Sequence, residues 1–135
     1  MLKVKIFNFL KFEKKNFIDE NEYENIREEQ IQISQQKIEE YLKFNIDVNK
    51  TFKVEYFFIT NTKNKAEKFY IEIKKLNYTA QYFFSPVEKI FLIAGLSPIM
   101  NVSDDVIIDW TKEMCEFGYN YDSKFDGWEI TNNYE

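Results

Sequence analysis

Apolar residues recur along this chain with two spacings, and the changes from one to the other divide it into helices and strands. Leu2, Val4, Ile6, Leu10 and Phe12 alternate with Lys3, Lys5 and Lys11, as in a strand, while Phe7 and Phe9 break that alternation. Residues 1–19 therefore read as an N-terminal arm, either strand or amphipathic helix. From Tyr23 to Phe44 the spacing becomes helical: Tyr23, Ile26, Ile31, Ile33, Ile38, Tyr41, Leu42 and Phe44 fall on one half of a helical wheel, opposite Glu24, Glu28, Glu29, Gln32, Gln36, Glu39 and Lys43. Phe52 to Ile59 reads as a strand, its Tyr56-Phe57-Phe58-Ile59 run implying burial on both faces.

Thr60, Asn61 and Thr62 offer N-caps for a helix through Leu76, with Ala66, Phe69, Tyr70, Ile73 and Leu76 on its apolar face and Asn77 as a left-handed stop. Tyr78 to Phe84 and Lys89 to Leu96 are the next strands, parted by the Ser85-Pro86 turn. Ser103 caps a last helix with Asp104 and Asp105 in its first turn, a core face of Ile107, Trp110, Met114 and Phe117, and Gly118 as its end. A final strand runs from Lys124 to Thr131, with a bulge expected at Gly127.

The order strand, helix, strand, strand, helix, strand predicts an α+β fold: a ferredoxin-like βαββαβ sandwich with a four-stranded antiparallel sheet and both helices on one face. Its first and third strands, the most continuously apolar, should be central. The long first helix and the arm lie outside this unit, and residues 20–135 are expected to form one domain.

Charge adds a direction to this plan. Lys3, Lys5, Lys11, Lys14 and Lys15 face Glu13 alone in residues 1–15, so that segment is +4, the chain is −5, and the rest is −9. From Asp104 onward Asp104, Asp105, Asp109, Glu113, Glu116, Asp122, Asp126, Glu129 and Glu135 meet only Lys112 and Lys124. Such a field repels phosphate backbones and attracts basic proteins. A lone Cys115 rules out an internal disulfide and suits a reducing compartment, so a cytoplasmic protein is expected. The N-terminal pattern lacks the apolar centre of a signal peptide, and no apolar run approaches the roughly 20 residues of a spanning helix.

Several features from residue 20 to 131 together resemble the regulator of ribonuclease E activity B (RraB) family. They are the helix with Ile26-Arg27-Glu28-Glu29-Gln30, the strand Val54-Glu55-Tyr56-Phe57-Phe58, the lysine-rich helix ending Leu76-Asn77-Tyr78, and the closing Phe125-Asp126-Gly127-Trp128. The resemblance implies a non-enzymatic protein that inhibits an RNA-degrading enzyme by binding it. An acidic domain of this kind also suits an immunity protein that neutralises a nuclease toxin, and the residues leave both open.

Enzymatic chemistry finds little footing. The absence of histidine removes Ser-His and Cys-His pairs, and Gly95, Gly118 and Gly127 lie too far apart for a phosphate-cradling loop. Helix capping accounts for Asp104 and Asp105 without a metal, no cofactor is expected, and Cys115 reads as a structural thiol. Tyr56, Phe58 and Tyr82 could stack bases on an exposed sheet, but the acidic body opposes RNA, and core packing is expected of them. Trp128 is expected to plug the sheet against a helix. The candidate partner-binding surface is the outward side of the last helix and the loop after it: Asp105, Ile108, Asp109, Lys112, Glu116 and Asp122, with Cys115 beside Ile108 unless the long helix covers them.

Overall fold

In the computed structural model, which describes residues 16–131, the elements follow in the order α1 (Glu20–Lys43), β1 (Thr51–Phe52), β2 (Val54–Thr60), α2 (Lys63–Lys74), β3 (Gln81–Ser85), β4 (Ile90–Leu96), β5 (Met100–Asn101), α3 (Asp104–Asn120) and β6 (Lys124–Ile130). The main sheet runs β3-β4-β2-β6 with every pairing antiparallel. That order is the ferredoxin-like arrangement, and β2 and β4 are central as the apolar runs predict. The strand or helix expected in residues 1–12 lies outside the described residues.

Local chemistry sets the element ends. α1 begins before Tyr23 because Asp19 and Glu22 form a capping box, each side chain accepting the other's backbone N–H at 2.8 and 3.0 Å. Thr62 caps α2, and Asn77 follows it in the left-handed region with φ 69°. The strand expected over Phe52–Ile59 is divided at Lys53: β1 pairs with β5, while β2 enters the main sheet. β3 begins at Gln81 rather than Tyr78, because the Thr79 hydroxyl takes the Leu96 N–H at 2.8 Å and so replaces a ladder bond with a side-chain bond.

Ser103 occupies the N-cap position of α3, yet its hydroxyl bonds Asn101 Oδ1 at 2.8 Å and gives the helix no side-chain cap. Gly118 does not end α3, which continues through Asn120. A Cβ at Gly118 would stand 2.5 Å from the Ser123 carbonyl oxygen and 2.7 Å from the Phe58 ring, so this glycine serves a close approach between helix and sheet.

Alternation along β2 separates two faces. Val54, Tyr56, Phe58 and Thr60 are buried beneath α2 and α3, whereas Glu55, Phe57 and Ile59 are half-buried on the other side. Phe58 anchors the core, with its ring centroid 4.4 Å from that of Phe69 on α2 and 5.1 Å from that of Phe125 on β6. Trp110 on α3 meets both Phe125 and Trp128 edge-on. Tyr56 and Phe58 are thus core residues, and Tyr82 lies on the same side, its hydroxyl bonded to Glu67 at 3.0 Å. Gly127 has φ 117°, and the register of β6 against β2 shifts between Tyr56 and Phe58, which is the expected bulge.

Candidate functional site

α1 packs along α3 and reaches β6 through a stripe the apolar pattern shows only in part, with Tyr23, Ile26, Ile38 and Tyr41 among the expected apolar residues and Gln30 and Ser34 outside that set. Its fully buried residues are Gln30, Ser34 and Ile38, while Leu42 and Phe44, on the expected apolar half, are 55% and 75% exposed. The cause is a polar contact at the helix crossing. Ser34 Oγ lies 2.8 Å from Thr111 Oγ1 on α3, and the Trp128 indole N–H donates to Ser34 Oγ at 2.8 Å. Tyr23 stacks on Tyr119 at 4.4 Å near the start of α1 and the end of α3.

Toward the other end, α1 and the N-terminal half of α3 enclose an open groove of about 810 Å³. Gln35, Glu39 and Leu42 line it from α1, with Asp104, Asp105, Ile108 and Asp109 from α3 and buried Ile38 at its base. Every charged side chain lining it is a carboxylate. Exposed Leu42 and half-buried Ile108 give this acidic wall an apolar centre, a composition suited to an interface.

Of the residues singled out in the sequence, Asp105, Ile108 and Asp109 come together in this groove. Half-buried Lys112 and exposed Glu116 continue the line along α3. Asp122 stands apart, in the loop beyond the opposite end of α3. Its carboxylate accepts the N–H groups of Phe17 at 2.7 and 2.9 Å and of Ile18 at 2.8 Å, and pairs with Lys65 Nζ at 2.6 Å. Asp122 therefore fastens the chain entering α1 to the α2 end of the molecule.

Cys115 is covered by α1, and burial pushes its thiol up to about 12, a value at which it is a poor nucleophile. Among the described residues no group of three His, Cys, Asp or Glu side chains could hold a metal ion, and no helix is long and apolar enough to cross a membrane. The sequence pattern does not mark Gln35, Glu39 and Leu42 as groove residues, because a single helical wheel does not tell which side of α1 meets α3.

No curated protein matches the chain. A family model described as regulator of ribonuclease activity B matches residues 31–130, from the middle of α1 to the end of β6. The matched span includes Ser34, Thr111 and Trp128, the Gly127 bulge and both walls of the acidic groove. This chain belongs to the regulator of ribonuclease activity B family.

Proposed function

We propose that the chain is a non-enzymatic acidic binding protein that inhibits a ribonuclease by direct contact, using the groove between α1 and α3. The observation that carries this reading is the groove's lining, where Glu39, Asp104, Asp105 and Asp109 surround Leu42 and Ile108 with no cation among them. Nucleases present basic surfaces to RNA, so an acidic face on an inhibitor speeds encounter and competes for the same surface. The family match favours a regulator of a housekeeping ribonuclease over an immunity protein against a nuclease toxin. Its partner is then a basic protein, and its place is the cytoplasm, where RNA turnover occurs.

The test is a titration of the purified chain against ribonuclease E from the same cell, following cleavage of a fluorescent RNA and, separately, complex formation by calorimetry. Slower cleavage in step with complex formation supports the reading. Unchanged cleavage at saturating chain, with no heat of binding, ends it. Slowed cleavage without protein–protein binding would point to RNA sequestration instead.

A further inference from the structure

The face of the sheet turned away from α2 and α3 is apolar as well. Phe57 and Ile59 on β2, Phe83 on β3, and Leu92 and Ala94 on β4 floor a groove of about 580 Å³. α1 stands beside β6 and walls it with Gln30, Ile33 and Lys37. A solvated sheet face ordinarily carries polar side chains at these positions, yet Phe83 is 49% exposed here.

Two observations indicate what would cover this floor. Glu55, Asp126 and Glu129 border it against a single cation, Lys37, which is already paired with Glu129 at 2.8 Å, so the rim is acidic. In addition, Gln30 is only 6% exposed and lines the groove, and its Oε1 is buried with no hydrogen-bond partner among the described residues. A buried acceptor without a donor is costly, and a rotation of the Gln30 amide would turn Oε1 into the groove that the residue lines.

We propose that this open face is a second docking surface, which takes an extended segment of a partner protein carrying alternate apolar and basic side chains. The apolar side chains cover Phe57, Phe83 and Leu92, the basic ones meet the acidic rim, and a donor from the segment reaches Gln30 Oε1. The proposal extends the reading of the chain as a binding protein, yet its test needs no ribonuclease, so either can fail alone.

The probe is a labelled peptide of about eight residues alternating leucine and lysine, roughly 26 Å when extended, with a leucine–glutamate counterpart as control. Fluorescence anisotropy should show binding of the lysine peptide and not of the glutamate peptide. Phe83→Ser, at an exposed edge position, and Glu55→Lys, which leaves the floor intact, should each weaken it about tenfold, roughly 1.4 kcal/mol. Gln30→Met should weaken the peptide while leaving the melting temperature unchanged or raised, because the unpaired acceptor is gone.

Equal binding of both peptides, or affinity that ignores Phe83→Ser and Glu55→Lys, overturns the proposal. So does affinity that falls only with Asp105→Lys and Asp109→Lys in the other groove. A tenfold gain on deleting residues 1–15 would make the chain's own basic segment the occupant, and self-association abolished by Phe83→Ser would make it a second copy; either replaces the partner proposed here.

Discussion

Trp128 donates its indole N–H to Ser34 Oγ at 2.8 Å, tying the last strand to the middle of the first helix. Indole can only donate, so Ser34 accepts from Trp128 and gives its own proton to Thr111 Oγ1, 2.8 Å away. Thr111 in turn donates to the Ile107 carbonyl oxygen at 2.7 Å. One directed chain of bonds therefore crosses β6, α1 and α3 inside an otherwise apolar contact. Trp128 also meets Tyr41 edge-on, and Lys37 Nζ sits 5.3 Å from the centre of its ring.

Ser34→Ala removes the middle of that chain and leaves the Trp128 N–H buried without an acceptor. The expected loss is about 1–3 kcal/mol in urea unfolding. Trp128→Phe on its own abolishes the donor, so adding Ser34→Ala to it should cost less than Ser34→Ala does in the parent. Additive losses in that double-mutant cycle would show that the indole bond contributes nothing.

Gly118→Ala should destabilise by about 1–3 kcal/mol even though alanine is the better helix former, because the new Cβ would collide with Ser123 and Phe58. Thermal unfolding measures this directly. A stability gain would mean that α3 can shift away from the sheet at little cost.

The sheet order, the central strands, the Asn77 stop and the Gly127 bulge were all legible in the sequence, because each follows from a short-range rule of spacing or backbone freedom. The packing face of α1 was legible only in part. Its wheel placed Tyr23, Ile26, Ile38 and Tyr41 toward the core but also favoured Leu42 and Phe44, whereas the structure buries Gln30 and Ser34, and the partners of Ser34, Thr111 and Trp128, stand 77 and 94 residues away in sequence. A pairing between distant polar residues leaves no period to detect. The acidic line Asp105, Asp109 and Glu116 was readable from i, i+4 and i+11 spacing along α3, but its opposite wall depended on that same hidden crossing. Asp122 was legible only as a charge, because the Phe17 and Ile18 N–H groups it accepts carry no sequence signal and Lys65 lies far from it in sequence.

Asp122→Asn keeps a side chain that tolerates the left-handed backbone at this position, where φ is 53°. It removes the charge that accepts Phe17 and Ile18 and pairs with Lys65. Charge-assisted bonds of this kind contribute about 1.5–3 kcal/mol when sheltered, and partial exposure should place the loss near 1 kcal/mol. Hydrogen exchange at Phe17 and Ile18 should accelerate about tenfold while the amides of β2 keep their protection. Equal acceleration throughout would make the effect global rather than a local release.

Replacing Asp105, Asp109 and Glu116 by lysine should weaken ribonuclease binding about tenfold or more, mainly by slowing association, while circular dichroism and melting temperature stay close to the parent. All three side chains are exposed, so their reversal costs the fold little. The parent's association rate should also fall steeply between about 0.05 and 0.3 M salt, and the variant's should not. Unchanged affinity for the triple variant would move the contact surface away from α3.

Alkaline pH should destabilise the protein. Burial raises the Cys115 thiol from 9.0 to about 12, and burial with nearby Glu129 raises the Tyr41 hydroxyl from 10.0 to about 12. Both groups are acids that ionise more readily in the unfolded chain. From about pH 9 the unfolded state therefore binds fewer protons than the folded one, and stability falls until the folded groups ionise too. The thiol alone sets a slope of about 1.4 kcal/mol per pH unit across that window. Urea midpoints measured from pH 8 to 11 should decline accordingly. Cys115→Ala should start from a lower stability because of the cavity it leaves, yet lose less per pH unit; parallel declines for parent and variant would show that the thiol ionises without unfolding.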